Sequence, residues 1–200
     1  MRRFLLVLAI SCGAAQAVAD SPPDQGRDPA YERVIADRSE KIVAQLGLDD
    51  AACAKRVAGI VTDQYRSLSK LHARRDEATD SAAKQAVELE LFKLHRSFVA
   101  RLGVELTPAQ IDGVRDGMTY GVVRGTYERY AALLPELTDD DRRQIKSWLL
   151  EAREYAMDAG SSDEKHEWFR KYKGRINNYL SQRGFDLQAA EERERLAKNR

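Results

Sequence analysis

Residues 151–181 read EAREYAMDAGSSDEKHEWFRKYKGRINNYLS, and the spacing of apolar side chains in and just before this stretch decides the fold class. Ile145, Trp148, Leu149, Ala152 and Ala156 recur at helical intervals ahead of Asp158, and Phe169, Tyr172, Ile176 and Leu180 recur beyond it. Each half therefore buries one apolar stripe. Asp158-Ala159-Gly160 ends the first helix, and Ser161 with Glu164 three residues on is a capping box that starts the second. So short a turn lays the two helices side by side as an antiparallel hairpin.

The polar residues of this hairpin form its candidate site. On a helical wheel, His166, Arg170, Lys173 and Asn177 follow one edge of the second stripe, while Trp168, Lys171, Arg175 and Tyr179 follow the other. The first helix presents Glu151, Glu154, Tyr155 and Asp158 beside Trp148. Aromatic rings stack on the C–H faces of a sugar, while guanidinium forks, amides and carboxylates bond its hydroxyls, so this mixture suits a hydroxyl-rich ligand. The plainer reading is that the same residues are salt-bridged flanks of ordinary packed helices.

The chain opens with the pattern of a secretory signal peptide over residues 1–19. Arg2 and Arg3 supply the positive start, residues 4–10 an apolar run, and Ala15-Gln16-Ala17 or Ala17-Val18-Ala19 the small-residue cleavage site. The expectation is export to the periplasm or beyond, with cleavage near Ala17 or Ala19. Cys12 sits in a loose lipoprotein-like box, but Ala9 stands where leucine is usual, so a lipid anchor is disfavoured. No later stretch has the roughly 20 apolar residues a membrane span needs.

Charge narrows the partners further. Of 33 basic residues the signal peptide removes Arg2 and Arg3, leaving 31 against 32 acidic ones. A near-neutral chain lacks the basic stripe that governs nucleic-acid affinity, so no nucleic-acid partner is expected. Cys53 is then the one remaining cysteine, which rules out an intramolecular disulfide and reads as a buried structural thiol.

Residues 20–27 read as a solvated leader. Asp28-Pro29 then supplies an N-cap and a proline at the first helical position, followed by apolar residues from Tyr31 to Leu46 at helical spacing. A second helix begins at Asp49 and runs through Leu71, and residues 73–83 continue it or form a hinge. A third ends at Gly103. Leu48-Asp49, Leu106-Thr107 and Leu137-Thr138 each place a leucine before an N-cap residue, where it can staple the first turn. Glycines at 117, 121 and 125 predict a broken or kinked helix over 117–125, resuming at Thr126. Tyr120 and Tyr127 in this segment are candidates for one wall of the site. No segment alternates as a strand does. The reading is all-α: a single bundle of about five to seven helices built from antiparallel hairpins over residues 28–188, with a charged tail over 189–200.

Two resemblances attach to particular residues. Leu106-Thr107-Pro108-Ala109-Gln110 is similar to the LTxxQ motif of Spy/CpxP-type periplasmic proteins, with Leu137 to Asp141 a second copy that has Asp141 in place of glutamine. Over residues 116–123, 127–138 and above all 151–181, the chain resembles the secreted bacterial family known as domain of unknown function 3826. That resemblance covers nearly all of the chain after the leader. It implies an exported helical protein with a sugar-binding role and carries over no catalytic residue.

Signs of enzymatic chemistry are sparse. His72, His95 and His166 lie in separate segments with no HxxxH or HExxH pair, so no metal is expected, and solvated flank positions explain His72 and His95. There is no GxSxG elbow and no phosphate loop, and no cofactor is expected. Carboxylate pairs such as Glu151, Glu154 or Asp158 with Glu164 or Glu167 arise by chance in a chain this acidic. The favoured function is binding of an oligosaccharide. A Spy-like chaperone and a polysaccharide-processing enzyme are the alternatives.

Overall fold

The computed structural model describes residues 28–198, and the signal-peptide and leader readings lie outside that range. Eight helices fill it: α1 (Pro29–Ala44), α2 (Ala51–Glu77), α3 (Ser81–Glu105), α4 (Pro108–Met118), α5 (Val122–Leu133), α6 (Asp139–Met157), α7 (Ser162–Gln182) and α8 (Leu187–Lys198). No strand occurs among the described residues. The expected five to seven helices become eight because residues 187–198, most of which read as charged tail, fold as α8. Asp186 begins it by accepting from Ala189 N, and Ala190 is buried.

Local chemistry accounts for the helix starts. Asp28, Asp50 and Asp80 cap α1, α2 and α3 by accepting a backbone N–H of the first turn. Thr107 and Thr138 form full capping boxes with Gln110 and Asp141, so the two LTxxQ-like segments serve here as helix starts. At α7, Ser161 accepts from Glu164 N as anticipated. The reciprocal bond, however, runs from Gly160 N to Glu164 Oε2 at 2.7 Å, one residue earlier than a standard box.

The glycine-rich segment breaks within the expected 117–125, but only residues 119–121 leave the helix: α5 resumes at Val122 rather than Thr126, with Gly125 inside it. α4 ends in a turn in which Gly121 N donates to Asp116 O at 2.8 Å and Tyr120 N to Gly117 O at 3.4 Å. This arrangement places a left-handed residue directly after the helix, a position glycine usually fills. Here it is Tyr120, at φ 59°, followed by Gly121 at φ 65°. Gly117 lies where a Cβ would come within 2.8 Å of Ile42, so α4 crosses close over α1.

Two helix pairs, α2 with α3 and α6 with α7, run along each other in opposite directions. Arg56–Glu105, Asp63–Arg101 and Arg74–Glu90 rung α2 against α3 at 2.9, 3.2 and 2.6 Å. Asp141–Arg183 and Glu151–Arg175 do the same for α6 and α7 at 3.1 and 3.6 Å. Two apolar cores result. One draws on α1 to α4 with Met157, centred on Val57, Val61, Phe98, Leu102 and Val114. The other draws on α5 to α8, centred on Leu134, Ile145, Leu149, Phe169, Ile176 and Leu180. Each such side chain contributes about 1.5–3 kcal/mol by leaving water. Cys53, expected to be buried, is half-buried at the rim of the first core, with Sγ 3.7 Å from Glu105 O. A thiol at the first turn of a helix reaches only the edge of the apolar interior.

Candidate functional site

A cleft of about 640 Å3 opens between the α2–α3 pair and the α6–α7 pair, where the two cores meet. Helical spacing aims its lining. Glu88, Phe92 and His95 lie at i, i+4 and i+7 on α3, and Glu164, Trp168 and Lys171 repeat that spacing on α7. His72 and Arg75 come from the end of α2. Glu154, Tyr155 and Asp158 come from the last turn of α6 and its C-cap.

Asp158 is the hub. His95 Nδ1 lies 2.6 Å from its Oδ2, Gln64 Nε2 reaches Oδ1 at 3.5 Å, and the buried His72 places Nε2 2.7 Å from its carbonyl oxygen. One residue thus ties α2 and α3 to the α6–α7 turn. Gly160 is required here because a Cβ would stand 2.7 Å from His72 Cγ. The hydrogen bond to Asp158 raises the His95 pKa above the ordinary 6.5, burial works against it, and the charges of Asp158 and Glu154 add to the rise.

Behind Glu154 stands a charged layer. Its Oε2 is 3.6 Å from His95 Nε2 and 3.5 Å from Arg115 Nε, and its Oε1 is 3.6 Å from Arg153 Nε. Arg153, buried on α6, is anchored on α4 by Asp116 at 2.7 Å and Asp112 at 2.8 Å. Nearby, Lys165 is buried with Nζ donating to Met118 O at 3.1 Å and Met157 O at 3.3 Å. This lysine joins the end of α4 to the start of α7. Among the described residues, the buried side-chain nitrogens without a hydrogen bond are His72 Nδ1, Arg115 Nε and Arg153 Nε. All three belong to this cluster.

The outer wall is aromatic. Tyr155 stacks on Trp168 with centroids 4.6 Å apart and planes 18° from parallel, and Lys171 Nζ lies 4.9 Å from the Trp168 ring centre. Phe92 on the α3 side is 58% exposed, a large solvent-facing apolar group in the lining. The cleft therefore combines ring faces with carboxylates and an imidazole, a pattern suited to a ligand with both apolar and hydroxyl surfaces.

A family model described as a protein of unknown function, DUF3826, matches residues 32–198. The chain belongs to the DUF3826 family. No curated protein matches it. The match runs from α1 into α8, so every residue lining the cleft lies inside the DUF3826 region.

The DUF3826 chain does not gather the twelve candidate residues into one groove. Glu154, Tyr155, Asp158 and Trp168 line the cleft. Lys173 and Asn177 line a separate hollow of about 420 Å3 between α5, α7 and α8, where Tyr130 donates to Asn177 Oδ1 at 2.5 Å. Tyr120 and His166 stack on each other with centroids 5.6 Å apart. Glu151 pairs with Arg175, whose guanidinium covers Trp148 at 4.6 Å, and Arg170 pairs with Glu167 on its own helix. Tyr127 packs against the second core. The physical reason is that α6 and α7 seal their shared stripe against each other, so the two polar edges of α7 face different neighbours.

Sequence reasoning missed His72 and His95, read as solvated flanks. His72 is 7% exposed and His95 is partly buried, and both converge on Asp158. Their separation of 23 residues matches the out-and-back path of two antiparallel helices joined at 78–80, which was the available signal. Lys165, Arg153 and Asp141 were also missed as buried polar groups.

Proposed function

We propose that this DUF3826 protein binds a saccharide in the cleft between α2–α3 and α6–α7, acting outside the cytoplasm once residues 1–19 have directed export. The observation that carries the reading is the Tyr155–Trp168 stack standing beside Glu154, His95 and Asp158. Stacked rings give a rigid apolar platform at small entropic cost, while oriented carboxylates and an imidazole set hydroxyl positions. The charges in the lining support this further, since Arg75 is matched by Glu164 at 3.0 Å and Asp158 by His95.

Calorimetric titration with a panel of neutral and acidic oligosaccharides tests the proposal. Binding is expected, and Trp168→Ala and Tyr155→Ala each weaken it about tenfold, equivalent to roughly 1.4 kcal/mol for a lost ring contact. Heat with no member of the panel, together with suppression of a client protein's aggregation, would replace this reading with a chaperone role.

A further inference from the structure

We propose that the cleft is also a proton-transfer centre, in which Glu154 and His95 cleave a uronate chain linked through O4 by syn elimination. The inference rests on the saccharide reading of the same cleft and adds a reaction to it.

The arrangement of donors and acceptors comes first. With Nδ1 held by Asp158, the imidazole of His95 has one fixed orientation and leaves Nε2 for chemistry. That atom stands 3.6 Å from Glu154 Oε2, and both side chains line the cleft. Arg115 and Arg153 face the carboxylate at 3.5 and 3.6 Å without hydrogen-bonding it through Nε. Glu154 is therefore held by charge while its lone pairs stay free to take a proton. The hydrogen bond to Asp158 raises the His95 pKa and so favours the imidazolium, the form whose Nε2 has a proton to give.

Spacing then selects the reaction. Inverting hydrolysis of a glycoside uses two groups about 6.5–9.5 Å apart, and retaining hydrolysis about 5–5.5 Å. A gap of 3.6 Å fits neither. It fits a reaction whose two proton sites are on adjacent carbons and the same face of a ring. In an O4-linked uronate the carboxylate acidifies the C5 proton, and O4 leaves from the neighbouring carbon. Glu154 Oε2 takes the C5 proton, and the C–H electron pair becomes the C4–C5 double bond. The C4–O4 bond breaks with its pair on O4, which takes the proton from His95 Nε2. Glu154 then returns its proton to His95 across the short gap, so no co-reactant is consumed.

The remaining need is a cation for the substrate carboxylate. Lys171 lines the cleft, is exposed and contacts the Trp168 ring, with no carboxylate partner among the described residues. It can swing from the ring to the uronate. Asp158 acts as a positioning residue.

Same-face geometry makes the proposal selective. The C5 proton and O4 share a face in mannuronate and glucuronate and lie on opposite faces in galacturonate and guluronate. The full chain should therefore produce the ultraviolet absorbance of an unsaturated uronate from polymannuronate and polyglucuronate, and none from polygalacturonate or polyguluronate. Glu154→Gln and His95→Gln should each lower the rate at least about 100-fold. Lys171→Ala should raise KM, and Asp158→Asn should shift the pH profile with the helical circular dichroism unchanged. Lys173→Ala, in the other hollow, should behave as wild type. New reducing ends without the absorbance, cleavage confined to the two opposite-face polymers, or a Glu154→Gln variant at full rate would each overturn elimination. Calorimetric binding of the first two polymers without product would overturn elimination alone, and neither binding nor product would overturn the saccharide reading with it.

Discussion

Lys165 sets up a stability test with an unusual sign. Its ammonium is buried between two backbone carbonyls, and burial, followed by the charge of Arg38, pushes its pKa down to about 8 from 10.5, with Asp158 acting the other way. The folded chain thus releases this proton near 8, and the unfolded chain near 10.5. Between those values the unfolded state binds more protons, so stability rises with pH. From pH 7 to pH 10 the linkage is worth about 2.5 kcal/mol. Urea unfolding followed by circular dichroism, at intervals over that range, measures it against Lys165→Met. The range stops at pH 10 because Tyr65 and Tyr130, pushed up to about 12 by burial, favour the folded state less once unfolded tyrosine ionises. The methionine variant leaves Met118 O and Met157 O without their donor at about 1–3 kcal/mol each, partly offset by removing a buried charge, but its curve should lack the rise. Parallel curves for wild type and variant would refute the buried, proton-shedding lysine.

Other positions give independent checks. Gly160→Ala should lower stability by about 1–3 kcal/mol through the clash with His72, whereas Gly174→Ala, exposed and with open space in mid-α7, should raise it by about 0.5–1 kcal/mol, both read by thermal melts. At Asp141, burial opposes ionisation but hydrogen bonds from Thr138, Tyr179 and Arg183 outweigh it and hold the pKa down to about 2 from 3.8. Its stabilisation is full above 3.8 and fades as pH falls through 2. Asp141→Asn should cost about 2–3 kcal/mol at pH 7 in urea unfolding, with Tyr179→Phe costing less in that background than alone. Proton NMR titration of His95 should show a pKa above 6.5 that falls in Asp158→Asn.

Most of the architecture was legible because helices advertise themselves locally. Asp28-Pro29, Leu106-Thr107 and Leu137-Thr138 mark starts by backbone chemistry that needs no tertiary partner, and the stripes of α6 and α7 are buried as their spacing requires. The site was only half legible. Glu154, Tyr155, Asp158 and Trp168 share one short hairpin, so their wheel positions were informative. His72, Phe92 and His95 come from another pair of helices, and no local pattern says which helix pair packs across from which. The wheel also could not tell which edge of α7 would meet α2 and α3 and which would meet α5 and α8. Lys173 and Asn177 went to the second edge for that reason.

The location of the cleft follows from how the two cores are joined. Apolar packing holds α1 to α4 and α5 to α8 separately, with Met157 bridging, so the seam is stitched by polar contacts: Arg153 to Asp112 and Asp116, Lys165 to two carbonyls, His72 and His95 to Asp158. Polar seams demand directional matching that a greasy interface does not, and buried nitrogens left short of a partner carry a desolvation cost of about 1–3 kcal/mol each. A chain shaped by stability alone would place such atoms anywhere or nowhere. Here His72 Nδ1, Arg115 Nε and Arg153 Nε all gather around Glu154 and Asp158, and Tyr120 holds its left-handed backbone at the α4–α5 break beside the Lys165 contact. Departures from local rules that cluster around one junction are expected where stability has been traded for a site. That concentration, more than the size of the cleft, is the reason to assign function to the junction rather than to the second hollow, where Tyr130 and Asn177 satisfy each other.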